Sequence, residues 1–297
     1  MAHAELKGAM VALVTPFERD GAVNWHRLKE LVSWHEGQGT DWIVACGTTG
    51  ESATLSHDEH NKVIATVVGA ASKAHVIGGS GSNDTRKAVK QVKEICDLGV
   101  DAVLSLSPYY NKPTQEGYFQ HFSEIARASE RPIIVYNVPG RTGGNIEAAT
   151  QLRLATVPNV GAVKEASGNM GQIMKVLAGV PKRFSVLSGD DPVTFPMMAM
   201  GAAGVISVTA NLVPRDVAQM VHLCAQGKWA QALAIHNRLL PIHEALFIES
   251  NPIPVKEAMN LAGLRVGPLR LPLTPMAAAN KQKLVEVLRQ ARVLKGA

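Results

Sequence analysis

Short apolar runs alternate with amphipathic ones along this chain at a regular spacing. "GAMVALVTPF" (8–17) is followed by "NWHRLKELVSWHEGQG" (24–39), whose apolar positions recur with helical spacing up to a terminal glycine. The first predicts a strand and the second a helix. "DWIVACG" (41–47) predicts a second strand, with a helix over about 58–72 behind it. "HVIGGSG" (75–81) predicts a third, followed by "DTRKAVKQVKEICDLG" (84–99), a helix with an aspartate near its start and a glycine stop. The alternation continues with strands at 101–108, 131–139, 159–167, 184–189 and 203–210. Helices are expected over 116–129, about 146–155, about 169–179, about 191–200 and after "NLVPRD".

That makes eight β-α units in about 226 residues. The strand segments are continuously apolar, as parallel strands covered on both faces must be. Eight such units predict an α/β chain folded as a (β/α)8 TIM barrel over residues 1–226. A doubly wound sheet would want a glycine fingerprint after the first strand, and "LVTPFERDG" has none. Residues 227–297 are helical by pattern, broken by "ESNPIPVK" and "LRLPLTP", and predict an appended C-terminal three-helix segment.

Composition agrees with a large core: 46% of the 297 residues are hydrophobic and 19% charged. The net charge of +5 is spread along the chain. Its densest cluster, "KAVKQVK", has helical spacing and reads as a solvated face, so no nucleic-acid partner is expected. Three cysteines, Cys46, Cys96 and Cys224, are odd in number and lack metal-ligand spacing. They predict a reducing compartment with neither a disulfide framework nor a metal site. With no signal-type N-terminus and no apolar run of about 18 residues, a cytoplasmic protein without a membrane partner is expected.

Lys164 disturbs this picture. In "NVGAVKEAS" it ends a strand that should be buried on both faces, where a cation costs free energy unless paired or neutralised. Chemistry in such barrels sits at the C-terminal strand ends. A lysine desolvated there loses its proton more easily, and the neutral amine forms a Schiff base with a carbonyl compound. The iminium is an electron sink that lets the neighbouring carbon become an enamine. A lysine snorkelling from a strand edge to water would look the same in isolation.

Other strand ends change the balance. "GTTGES" (47–52) is a small-residue turn with two hydroxyls and free backbone N–H groups, suited to a carboxylate or phosphate. "SPYYN" (107–111) carries the tandem Tyr109 and Tyr110, and "VYNVPGRTG" (135–143) offers Tyr136 and then Arg141 in a Gly/Pro-rich loop. Arginine takes a carboxylate in bidentate fashion. Each signal is weak alone. An anion turn, phenols, a guanidinium and an amine on four strand ends make one site a better account than four coincidences.

"GTTGES", "SPYYNKPTQEG", "YNVPGRTG", "VKEAS", "SGDD", "GVISVTAN" and "NPIPVK" together resemble the 4-hydroxy-tetrahydrodipicolinate synthase (dihydrodipicolinate synthase) family, in order, over about residues 8–265. The family belongs to the pyruvate-dependent class I aldolases. The resemblance implies condensation of pyruvate with aspartate 4-semialdehyde on the route to lysine and diaminopimelate, with no metal or organic cofactor. By motif it makes Lys164 the Schiff-base lysine and Tyr136 the general acid/base. Thr48 and Tyr110 would complete a hydroxyl relay, Tyr110 being supplied by a neighbouring subunit. It assigns the pyruvate carboxylate to Thr48 and Thr49, the semialdehyde carboxylate to Arg141, and the pocket lining to backbone near Gly189 and Ile206. A homotetramer, a dimer of dimers, is implied.

A candidate lysine-effector site would comprise Ser52, Ala53, His57, His60, Asn83, Lys87 and Tyr109. Lysine-sensitive relatives carry glutamate where this chain has Lys87. His57 and His60 also read as exposed residues opening a helix. A related aldolase with another aldehyde shares Lys164, Tyr136 and the "GTTGE" turn. A non-catalytic keto-acid-binding barrel would instead show decay of the motif set, which is intact.

Overall fold

The computed structural model describes residues 4–294. The chain runs β1 (Gly8–Ala12), α1 (Trp25–Gly37), β2 (Trp42–Ala45), α2 (His57–Ala70), β3 (His75–Ser80), α3 (Thr85–Asp97), β4 (Ala102–Leu106) and α4 (Gln115–Ala128). It continues with β5 (Ile133–Asn137), α5 (Pro139–Thr142), α6 (Ala148–Leu154), β6 (Val160–Glu165), α7 (Met170–Gly179), β7 (Ser185–Ser188), α8 (Thr194–Ala199), β8 (Gly204–Ser207) and α9 (Pro214–Ala225). The helices α10 (Trp229–Ala245), α11 (Ile253–Leu261) and α12 (Ala278–Gln290) follow. All strands are parallel, and β8 pairs back onto β1 to close the barrel. Asn211 staples that seam: its Nδ2 donates to Ala12 O (2.7 Å) and its Oδ1 accepts from Val14 N (3.0 Å).

The pleat sorts the core into two layers. Inward side chains, among them Met10, Trp42, Val44, Ile77, Leu104, Ile134, Ala162, Leu187 and Ile206, fill the barrel. Their neighbours, such as Val11, Ile43, Val103, Val135 and Val163, pack outward against the apolar stripes of the helices. Covering both faces explains why the strands read as continuous apolar runs.

The hydrogen-bonded strands are shorter than the apolar runs that announced them. The run at 8–17 leaves the ladder after Ala12, though residues 13–17 stay buried. They pass from β1 into the active-face loops, where burial continues outside the barrel ladder and Phe17 makes a single antiparallel bridge with Val23. The segment at 191–200 divides into a 3-10 turn, Asp191–Val193, and α8. Arg141, expected in a loop, sits in the one-turn α5, which Pro139 opens and Gly143 (φ 75°) ends. The three helices after α9 form the C-terminal segment; α10 lies against α9, and α12 packs on α10 and α11. Among the described residues no helix is long and apolar enough to cross a membrane.

Candidate active site

Strand register brings two of the expected residues together. Tyr136 on β5 is the register partner of Lys164 on β6, so both side chains share one level and one side of the pleat. Both point into the barrel at its C-terminal end. Lys164 is 5% exposed, and its Nζ stands 4.2 Å from the centroid of the Tyr136 ring. Gly189, just after β7, leaves room for that lysine. A Cβ at Gly189 would lie 3.0 Å from Cγ and Cε of Lys164 and 2.7 Å from Cβ of Ala166. Ile206 on β8 is buried in the same interior layer. Beyond it, Asp191 of the "SGDD" motif accepts from Ser207 Oγ (2.5 Å) and from the backbone N–H of Val208 and Thr209 (2.9 and 3.1 Å).

The residue after the lysine points the other way. Glu165 is fully buried between barrel and helices, and its carboxylate accepts from Asn137 Nδ2 (3.0 Å), Gln151 Nε2 (2.5 Å), Gln172 Nε2 (3.1 Å) and Ser167 N (2.8 Å). A buried carboxylate is tolerable only when its lone pairs are filled, and amide donors fill them here. The cluster ties β5, β6, α6 and α7 together on the outer side of the strand that carries Lys164. In the sequence, a glutamate beside a strand-end lysine is the sole trace of it.

The 47–52 turn ends β2 and opens onto a cavity of about 550 Å³ whose lining includes Thr48, Tyr136, Tyr109, Arg141 and Asn251. Thr49 is buried, and its Oγ1 accepts from Asn251 Nδ2 (2.9 Å). The Arg141 guanidinium donates through Nη2 to Asn251 O (2.9 Å). Asn251 therefore joins the hydroxyl turn to the arginine from the C-terminal segment. Pro272 and Leu273 continue the same wall, so the cavity belongs to the barrel and to loops of the C-terminal segment together.

The expected residues do not all meet inside one chain. Tyr109 lines the cavity, but Tyr110 is 89% exposed with φ 72° and does not line it. Of the candidate effector residues, Ser52, Ala53, His60 and Tyr109 line an extension of the cavity. His57 and Lys87 lie exposed on α2 and α3. His60 corrects the expectation of an exposed helix opener: it is buried on α2, its Nδ1 meets no protein partner, and burial lowers its pKa. His60 falls four residues after the N-cap Ser56, where α2 turns inward onto β3, a packing the local pattern does not reveal.

Other charges escaped the sequence reading. Lys256 on α11 and Glu51 in the turn form a fully buried ion pair, Nζ to Oε1 2.8 Å. Burial pushes the Lys256 pKa down, and the Glu51 charge works against that shift. Lys256 lies three residues after Ile253 and three before Met259, within the buried face of its helix. That placement of a charge among apolar residues was the available signal.

A strand-borne amine buried beside a phenol at the C-terminal mouth of a closed (β/α)8 barrel defines a class, the barrel lyases that work through a lysine Schiff base. The dihydrodipicolinate synthetase family model matches residues 5–291, and the chain belongs to that family. It is 48% identical over 295 residues to the 4-hydroxy-tetrahydrodipicolinate synthase of Koribacter versatilis (strain Ellin345), covering 99% of this chain and 98% of that protein. It is 50% identical over 285 residues to the enzyme of the same name from Geotalea uraniireducens (strain Rf4), covering 96% and 98%. The chloride-inhibited dihydrodipicolinate synthase from Acinetobacter baumannii, solved in complex with pyruvate, superposes with a TM-score of 0.95 at 43% identity, over 97% of this chain and all of that one.

Proposed function

We propose that this chain is a lyase that condenses pyruvate with aspartate 4-semialdehyde to 4-hydroxy-tetrahydrodipicolinate, in lysine and diaminopimelate biosynthesis. The observation that carries the mechanism is the buried Lys164, its Nζ 4.2 Å over the ring of Tyr136, which lines the same cavity as Thr48. Lys164 attacks the keto carbon of pyruvate and expels water as the imine forms. The methyl group then loses a proton, which Tyr136 accepts, and the enamine attacks the aldehyde carbon of the second substrate. The aldehyde oxygen takes up a proton as the carbon–carbon bond closes. The amino group of the second substrate attacks the iminium carbon, closes the ring and returns the lysine.

A phenol has a reference pKa of about 10 and is a poor base alone; a hydroxyl chain with Thr48 and the adjacent iminium eases that demand. Thr48 and Thr49 hold the pyruvate carboxylate, and Arg141 receives the semialdehyde carboxylate. Backbone groups at Gly189 and Ile206 complete the pocket. The exposed Tyr110 fits a site finished by a neighbouring subunit, within a homotetramer arranged as a dimer of dimers. A cytoplasmic location suits a biosynthetic enzyme of this kind.

The direct test supplies pyruvate and aspartate 4-semialdehyde to the purified protein. Condensation is expected, and borohydride with pyruvate alone should trap a covalent adduct on Lys164. Absence of both would sink the reading. A trapped adduct without condensation would leave a Schiff-base lyase for a different aldehyde.

Lysine should inhibit this enzyme weakly or not at all. By the motif match, the exposed Lys87 stands where lysine-sensitive relatives carry a glutamate that receives an ammonium of lysine, and like charges at close range repel. A titration of initial rates against lysine decides it: strong inhibition at sub-millimolar concentration is the contrary result.

A further inference from the structure

The turn bearing Thr48 and Thr49 has a backbone shape held by a charge pair for which the condensation itself has no use. Cys46 (φ 56°) and Glu51 (φ 54°), neither of them glycine, flank it in the left-handed region. Such residues persist where the surroundings over-determine them, and they concentrate at functional sites.

Glu51 is over-determined from one direction. Its Oε1 accepts from Lys256 Nζ (2.8 Å) and its Oε2 from Arg270 N (3.0 Å). Lys256 uses its remaining donors on Thr15 O (3.1 Å) and Pro268 O (2.6 Å), and its Nζ lies 4.2 Å over the Phe17 ring. Thr15 in turn donates from Oγ1 to Gly50 O (2.6 Å), inside the turn. The Arg270 guanidinium lies 4.4 Å from the centroid of the same Phe17 ring and grips Glu59 with Nη1 and Nη2 (2.8 and 2.6 Å), which fixes the chain leaving the turn. Both donors to the Glu51 carboxylate thus come from residues 256–270, beyond the eight β-α units. A buried ion pair is poor evidence for a purely stabilising role, because neutral side chains of similar volume often hold a fold as well.

We infer that the Glu51–Lys256 pair is a positioning device, through which the C-terminal segment sets the Thr48 and Thr49 hydroxyls for the substrate carboxylate. The inference rests on the reading that this turn receives pyruvate.

The test compares the full-length wild type with Glu51→Gln and with the double variant Glu51→Gln/Lys256→Met, which exchanges the charge pair for neutral groups of similar size. Three quantities are measured: the pyruvate concentration giving half-maximal borohydride trapping, the KM for aspartate 4-semialdehyde, and the thermal midpoint. In the double variant the first is expected to rise about tenfold or more. The semialdehyde KM should move less than about threefold, and the midpoint should stay close to that of the wild type. Should the double variant not fold, Glu51→Gln carries the comparison: it keeps the shape and one of the two acceptors but turns an amide N–H toward the other donor, so its thermal midpoint is expected to fall while the pyruvate half-saturation still rises selectively. Unchanged pyruvate half-saturation in a folded variant would overturn the inference, as would a comparable rise in both the pyruvate half-saturation and the semialdehyde KM. A wild type that traps no pyruvate would overturn the catalytic reading, and this inference with it.

Discussion

Replacing Lys164 by alanine is expected to abolish condensation, with a loss on the order of 10³- to 10⁶-fold, the range seen when a covalent nucleophile is removed. Lys256, the other buried lysine among the described residues, is committed to Glu51, Thr15 O and Pro268 O and does not replace it. The truncation leaves space beside Gly189, but it removes a polar group from an apolar barrel interior, so the fold should survive. Borohydride trapping with pyruvate should disappear together with activity, while circular dichroism stays that of the wild type. Lys164→Arg is the companion variant. It retains positive charge at the same strand end but cannot form a Schiff base, because the guanidinium stays protonated. An active arginine variant would show that charge, rather than covalent chemistry, is what the strand carries there.

Tyr136→Phe should lower kcat by about 10²- to 10⁴-fold, the usual weight of a positioned general acid/base. The substitution keeps the ring that lies under Lys164 Nζ and fills the barrel between Ile134 and the cavity, and removes only the hydroxyl. Stability should therefore change little. Pyruvate should still be trapped by borohydride, more slowly, because imine formation retains its nucleophile but loses its proton carrier. Steady-state rates within about threefold of wild type would remove Tyr136 from the proton path.

Much of this was legible in the sequence, for reasons that are local. Eight apolar runs alternating with amphipathic ones specify eight strands and eight covering helices, since each period is written within a dozen residues. Lys164 stood out because an ammonium at the end of such a run is costly wherever the strand goes. The "GTTGES" turn, Tyr136 and Arg141 each followed a recognisable strand. The same local reading erred where neighbours in space decide. His60 looked like an exposed helix opener until α2 was laid against the barrel. The loop holding Arg141 proved to be a helical turn, because Pro139 and Gly143 lie one turn apart.

What the sequence by itself determined is the order of elements, their faces, and an amine at the sixth strand end. Alternation says that Lys164 and Glu165 point in opposite directions, but only closure of the barrel decides which of them faces the interior. Only register places Tyr136 level with Lys164. Only the returning C-terminal segment brings Asn251 to Thr49 and Lys256 to Glu51, across separations of 202 and 205 residues. Periodicity fixes how one segment meets an apolar surface; which distant segment supplies that surface is set by the packing of the whole chain, and the catalytic geometry is assembled at that level.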